Sequence, residues 1–487
     1  MSTAEHVQAQ IKALSVEIEK QQAGLAEMQS RLHALQEQLN AISCPILSLP
    51  TEIAVEIFEY ALDTFVLSTA GRRSPPLSLT ETCRTWREIA LTSPTLWSSF
   101  NISLYMSDRR RWPRLLHLAE MWFSRAGNLL LQISLRGEPG WTQMTDGAPF
   151  IPVLERFSPR ISHLHLEMAT QDLAMLDAHS FNWDRLVSFS FWLQPSDAEP
   201  VNSVLYDLFH AAPSLRRVRL ASESMLPSSV DLPWSSVDHF SGGGFYKSRE
   251  TLQILEQLPH TTSFKLVTSA NEDNRASKPR PVEHINVRNF VVDERGVPHP
   301  ETHILEFFTF PQLETLELLS EIDGGALRRF LSQSRPPLRR LFLTDGTVFN
   351  SLTADILDLV PSLVELELHS PSRRFYTGII FTEYPKNMEF LPKLEKLSIS
   401  CALRDEVTMD DLVTEVGKEL RRRKRRLAEL DVPVEWAFKS LKLHVDTPET
   451  MRYVYPERSL AIYRELRNGG VEVSISGGGW HGDDVVF

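Results

Sequence analysis

Cysteine is scarce in this chain: Cys44, Cys83 and Cys401 are the only three among 487 residues. Three widely spaced cysteines build neither a disulfide framework nor a zinc site. A reducing compartment is the simpler setting for them. Long apolar runs are missing too, since none approaches the ~20 residues needed to cross a bilayer. The first residues, MSTAEHVQAQIKAL, lack the apolar core of a secretory signal. The expected location is therefore cytoplasm, nucleus or both. Net positive charge is absent as well. At −12 the chain repels phosphates overall, so neither nucleic acid nor a membrane is an expected partner.

Catalytic signatures are equally wanting. There is no Gly-x-Ser-x-Gly elbow, no Walker loop and no His-Glu-x-x-His. The glycine runs SGGGF at Ser241 and SGGGW at Ser476 have neither the helix start nor the lysine of a phosphate loop, and read as bulges or turns. The HGDD segment, with His481, Asp483 and Asp484, reads as a frayed terminus. These gaps lead to the expectation of a non-catalytic chain with no cofactor and no metal.

What is present begins with a regular seam. Residues 4–42 contain no proline and only Gly24 among glycines. Ile11, Ile18, Leu25, Leu32 and Leu39 take one heptad core position; Val7, Leu14, Gln21, Met28, Leu35 and Ile42 take the other. Only Gln21 breaks the apolar series. Such a narrow seam leaves a lone helix wet, so it predicts an intermolecular coiled coil and a homo-oligomer through residues 4–42. The competing reading folds one helix back on the chain's own body. Cys44-Pro45 ends the helix, because proline disfavours αR in the residue before it.

A second helix follows in LSLPTEIAVEIFEYAL, residues 47–62. Pro50 suits the first turn and Glu52 complements the dipole there. Placed at about 100° per residue, Ile53, Ala54, Val55, Ile57, Phe58, Ala61, Leu62 and Phe65 fill an arc of about 200°. A surface helix needs an apolar stripe little wider than 100°. The surplus has to be covered, either by the chain's own core or by another protein. Beyond the loop RRSPPLSL comes LTETCRTWREIALTSPTLW, in which Cys83, Trp86, Ile89 and Ala90 share a helical face. A domain of some 60 residues is marginal by itself, which favours a docking partner.

These two segments together resemble the F-box motif. The residues that carry the likeness are Leu49, Pro50, Glu52, Ile53, Ile57, Phe58, Cys83, Arg84, Trp86, Arg87, Leu96 and Trp97. The insert around TFVLSTAGRRSPP is longer than in compact members. The resemblance implies docking to the Skp-type adaptor of a cullin–RING ubiquitin ligase. It implies an adaptor-facing role for Leu49, Pro50, Ile53, Ile57 and Phe58, with Cys83, Trp86 and Trp97 shared between core and interface. A small helical cap on the following domain is the alternative.

After Trp97 short β-like runs take over, several announced by proline, as in PSLRRVRL, PQLETLEL, PPLRRLFL and PSLVELEL. Their shared form is Leu-x-x-Leu-x-Leu, whose last two apolar residues point inward from one strand. The inward positions are read as Leu164, Phe189, Val218, Phe240, Phe264, Ile285, Leu316, Leu341, Leu366 and Leu397. Gaps of about 21 to 31 residues fall in the class of leucine-rich repeats. Amphipathic stretches from Val201, Gly325 and Thr353 suit outer helices. The region resembles an irregular leucine-rich-repeat solenoid without the usual asparagine after the strand; an ordinary α/β domain is the competing reading. Residues beside the inward ones, among them His165, Arg217, Arg219, Glu317, Phe342 and Glu367, form the expected target-facing surface. The basic run RRRKRR, 421–426, is either an import patch or a solvated helix face, the latter supported by the stripe Val413, Val416, Leu420 and Leu427.

The expected organisation is an α/β repeat protein, an irregular leucine-rich-repeat solenoid preceded by a small helical F-box domain and an N-terminal coiled-coil helix. The boundaries are 1–43 for the coiled coil, 44–105 for the F-box-like domain, 106–470 for the solenoid and 471–487 for a tail. The expected role is substrate recognition in a Skp–cullin–F-box ligase that marks a target for proteasomal degradation. The alternative is a coiled-coil and repeat scaffold with no ligase link.

Overall fold

The computed structural model describes residues 3–42, 49–62, 76–104, 110–144, 149–193, 207–221, 230–246, 248–269, 281–295, 303–320, 323–344, 354–369, 384, 387, 389–402, 406–429, 436–446 and 457–478. The chain divides into two compact units. One comprises Met1–Ile102 with Leu118–Leu129, and the other comprises Ser103–His117 with Leu130–Phe487.

The first unit is helical. It contains α1 (Thr3–Ile42), α2 (Thr51–Leu62), α3 (Leu77–Thr82), α4 (Arg84–Thr92) and the single 3₁₀ turn Pro94–Trp97. Helix α2 starts one residue after Pro50, whose carbonyl accepts from the Ala54 N–H at 3.0 Å. Proline there forgoes an N–H that would have no partner in the first turn. Cys83 caps α4 from an extended backbone, its Sγ accepting from the Trp86 N–H at 3.5 Å. The core gathers around Trp97, which is fully buried and donates its indole N–H to the Ala90 carbonyl at 2.7 Å. Trp122 meets Trp97 edge-on at 4.9 Å and donates to the Ser99 carbonyl at 2.9 Å. Phe100 packs edge-on against Trp122 and Phe123, and the Arg125 guanidinium lies 4.6 Å over Trp97. Trp122, Phe123 and Arg125 lie in α5 (Trp112–Arg125), past the expected boundary at 105, so the small domain completes its core with a later helix.

The second unit is strand-rich and parallel. Its strands are β2 (Leu131–Gly137), β3 (Ile161–Met168), β4 (Ser188–Leu193), β5 (Arg217–Ala221), β6 (His239–Tyr246), β7 (Ser263–Ser269), β9 (Asn289–Arg295), β11 (Thr315–Leu318), β12 (Arg340–Thr344), β13 (Glu365–His369), β14 (Lys396–Ala402), β15 (Ser440–Asp446) and β16 (Glu472–Gly478). These strands follow one another across the sheet in chain order; β1 (Ser99–Leu104) begins in the first unit. From β2 to β16 every pairing in the sheet is parallel, and the sheet is not closed. Two short strands, β8 (Val282–Glu283) and β10 (Phe308–Thr309), pair separately.

One device recurs from strand to strand. The carbonyl just before a strand accepts two successive N–H groups of the next: Arg288 O takes those of Glu314 and Thr315, Glu314 O takes Arg339 and Arg340, and Arg339 O takes Val364 and Glu365. Upstream, a tight turn positions the first apolar residue of each motif, as when the Leu363 N–H donates to the Val360 carbonyl at 3.1 Å. Pro213, Pro311 and Pro361 occupy the second position of such turns, where a fixed φ costs nothing. The inward residues register side by side, Phe264 with Phe290, Phe290 with Leu316, Leu316 with Leu341, Leu341 with Leu366, and all are buried.

The structure corrects several expectations. Ile285 is 62% exposed; the inward residue of that copy is Phe290 in β9, because Val287-x-x-Phe290-x-Val292 carries the pattern one turn later. The expected tail from 471 begins with β16, paired to β15 through Leu441 and Val473. Of the proposed outer helices, Gly324–Ser334 forms with Asp323 as its cap, Ala354–Leu357 is four residues long, and 207–211 are turns beside a segment outside the described residues. SGGGF lies within β6, where the register with β7 shifts between Gly242 and Tyr246. The start of SGGGW ends β16. Cys44 and the HGDD segment lie outside the described residues.

The basic run lies on a helix face as one of its two readings expected, with Arg423 as the exception. Val416, Leu420 and Leu427 do bury one stripe of helix Glu406–Ala428; nothing is described of the Val413 side chain. Arg423, however, is buried among backbone carbonyls. It donates to those of Asn387 at 3.1 Å and Phe390 at 3.0 Å, donates also to Tyr384, and stacks on the Tyr384 ring at 3.8 Å. Burial pushes its guanidinium below the usual arginine value and the Tyr384 phenol above its own. Arg423→Ala would leave three carbonyls without their charged donor. Urea unfolding of the second unit should show a loss of about 3 kcal/mol, with Arg423→Lys rescuing little because an ammonium cannot span all three acceptors.

Candidate interaction surfaces

Helix α2 is apolar on two adjacent sides. Ala54 and Phe58 face inward, and Phe58 is 2% exposed, with its ring edge-on to Trp86 at 5.0 Å. Ile53 and Ile57 face outward at 43% and 41% exposure, with Tyr60 one turn further and Leu49 at the helix entry. Residues 53, 57 and 60 are spaced four and three apart, so they form one ridge along the axis. Pro50 is exposed at its base, and Glu52, Glu56 and Glu59 flank it. Seating the remaining exposed part of Ile53 and Ile57 in a partner's groove would be worth roughly 1 kcal/mol per side chain.

Phe58 was expected to face a partner and Trp97 to be shared between core and interface; both are buried, Phe58 under α2 and Trp97 against Trp122 and Arg125. Cys83 serves as a helix cap and is half-buried, as is Trp86. Tyr60, 77% exposed, belongs to the ridge; its position seven residues after Ile53 puts it on the same face.

The second surface is the ladder of side chains between the inward ones. Strand register sets His165 beside Ser190, Ser190 beside Arg219, Arg219 beside Ser241 and Ser241 beside Lys265. The row below runs His163, Ser188, Arg217 and His239. Further along come Glu317, Phe342 and Glu367. The ladder carries charges of both signs, with Arg217, Arg219 and Lys265 in its first part and Glu317, Glu367, Arg340 and Lys396 further along. Glu367 accepts from Arg340 at 3.2 Å and lies 3.2 Å from the His369 ring, which sits 4.7 Å from that of Phe342. Arg217 and Arg219 are exposed, while His165, Glu317, Phe342 and Glu367 are half-buried. Trp192, half exposed at 50%, was missed in sequence; Phe189 and Phe191 point inward, so Trp192 must point out.

Elsewhere in this unit a cavity of about 480 Å³ is lined by Asp177, Phe181, Trp183, Asp207, His210 and Asp231. His210 is paired with Asp231, and burial pushes the Asp177 carboxyl up. Among the described residues no cluster of three or more His, Cys, Asp or Glu is placed to hold a metal, and no helix is long and apolar enough to cross a membrane.

Comparison with known families adds one finding. The F-box-like family model matches residues 46–103, the segment containing the α2 ridge, the Cys83 cap and Trp97. Domains of this kind are protein-interaction modules that generally bind Skp-type adaptors. No curated protein matches the chain.

Two outcomes follow from this geometry. Phe58→Ala should destabilise the first unit by about 3–5 kcal/mol, whereas Ile57→Asp should change its stability by under about 0.5 kcal/mol, both read by thermal unfolding. His163 and His165 should titrate below the ordinary histidine value, chiefly because of burial, with Arg217 adding to the first and Arg219 and Arg136 to the second. The unfolded chain then takes up protons first as pH falls. Stability present above the ordinary value is lost as pH drops through the folded ones, and NMR titration of both rings checks this.

Proposed function

We propose that this chain is the substrate-recognition subunit of a Skp–cullin–F-box ubiquitin ligase. The α2 ridge docks to the Skp-type adaptor, and through it to a cullin. The parallel sheet, read as an irregular leucine-rich-repeat solenoid, holds a target protein on its ladder of exposed side chains. The observation that carries the reading is the two-sided apolar character of α2, with Phe58 committed inward while Ile53 and Ile57 stay outward. A helix that only capped the following domain would have no use for that outer ridge.

The repeat reading is supported by the sequential order of the strands, the motif recurring at about 25 residues and the shared lateral hydrogen bonds. A stack of such units offers a continuous surface suited to a macromolecule. No residue of this chain is assigned covalent chemistry. Its contribution is proximity, raising the effective concentration of the target near the transferring machinery in the cytoplasm or nucleus, ahead of proteasomal degradation.

Affinity purification from native cells with the proteasome blocked tests this. Wild type should bring down the adaptor and cullin, and Ile57→Asp and Ile53→Asp should lose both while keeping the fold. Wild type without adaptor would instead favour a scaffold with no ligase link.

A further inference from the structure

Helix α1 spans Thr3–Ile42, and every described apolar residue of its seam is exposed: Val7, Ile11, Leu14, Ile18, Leu25, Met28, Leu32 and Leu35. A stripe of this length without cover requires a partner with the same period. The residues flanking the stripe specify which partner, and in which direction it runs.

The flank that follows Val7, Leu14, Gln21 and Met28 carries Gln8, Ser15, Gln22 and Gln29, all uncharged. The flank that precedes Ile11, Ile18, Leu25 and Leu32 carries Gln10, Glu17, Gly24 and Arg31. Glu17 and Arg31 are thus the only charges beside the described seam, and both lie on the same flank. In a parallel pair each flank meets the opposite one on the partner, so Glu17 and Arg31 would face only glutamines. In an antiparallel pair each flank meets its own kind. Aligning Glu17 with the partner's Arg31 then also aligns Arg31 with the partner's Glu17, two ion pairs from one register.

That same register fills the seam. Ile11 faces the partner's Leu35, Leu14 faces the partner's Leu32, and Ile18 faces the partner's Met28. Each β-branched side chain thus opposes one that is not branched at Cβ. Gln21 faces the partner's Leu25 next to the dyad, where Gln22 and Gly24 also gather, so its amide has a wet, polar neighbourhood. The alignment centres near residue 23, the middle of the helix, and two copies overlap along their whole length of about 60 Å. Sliding by one heptad loses both ion pairs and shortens the overlap.

We propose that α1 pairs with α1 of a second copy as an antiparallel two-stranded coiled coil in this register. The two copies of residue 42 then lie at opposite ends of the rod, about 60 Å apart. The occupant is a second copy because the charges and side-chain sizes complement the helix's own sequence. The inference is independent of adaptor binding.

Sedimentation of the full chain tests it. Wild type should be a dimer. Glu17→Arg or Arg31→Glu alone should raise the dissociation constant about tenfold, since each sets two like-charge contacts, and the double swap should return it to near wild type. Under oxidation, a mixture of Leu14→Cys and Leu32→Cys chains should cross-link, whereas Leu14→Cys alone should not. A monomeric wild type, a dimer insensitive to the charge swap, or self-cross-linking of Leu14→Cys would overturn the proposal.

Discussion

A parallel strand cannot satisfy its backbone with the strand before it alone, and its two inward side chains cannot be buried by one unit. Each unit of the second body therefore leans on the next. The lateral bond in which one carbonyl takes two N–H groups is where this dependence is visible: Arg288 O holds Glu314 and Thr315, and Glu314 O in turn holds Arg339 and Arg340. Fixing that junction fixes the register, and the register aligns Phe290, Leu316, Leu341 and Leu366 as one buried row. The exposed ladder then follows with no further instruction. Where the inward residues are set, His165, Arg219 and Glu367 have only one side left to face.

The first unit solves a different problem. Apart from the uncovered α1, its helices are short, so it concentrates burial in aromatic rings. Trp97, Trp122, Phe100 and Phe123 interlock edge to face, and both tryptophan N–H groups find backbone carbonyls. With the core supplied by rings on other segments, Ala54 and Phe58 are the buried residues of α2 among the described side chains. That economy is what frees Ile53 and Ile57 to present an apolar ridge to the outside.

Much of this was legible in the sequence, for reasons that differ by element. The strands with leucine at all three positions, such as Leu338-x-x-Leu341-x-Leu343, announce themselves because burial on both rows admits little else. Phe290 was misplaced because Ile285, five residues earlier, mimics an inward residue inside the short β8 neighbourhood. Strand β15 was passed over although Phe438-x-x-Leu441-x-Leu443 repeats the motif, since the long helix Glu406–Ala428 stretches the spacing. The outward ridge was visible as surplus apolar arc, but which of its members turn inward was not. That choice depends on Trp86, which lies beyond a long insert. Trp122 could not be assigned to the first core from sequence, because the chain passes through the other unit before returning to it.

The environment of Arg423 changes what its neighbourhood looks like from a distance. Arg421 and Arg425 both pair with Glu465, Arg422 lies 3.7 Å from Glu419, and Lys424 donates to the Gly469 carbonyl. A passing macromolecule therefore meets far less positive potential here than six consecutive basic letters advertise. A receptor that grips such a stretch as extended chain would first have to melt the helix and pull Arg423 out of its carbonyl cage.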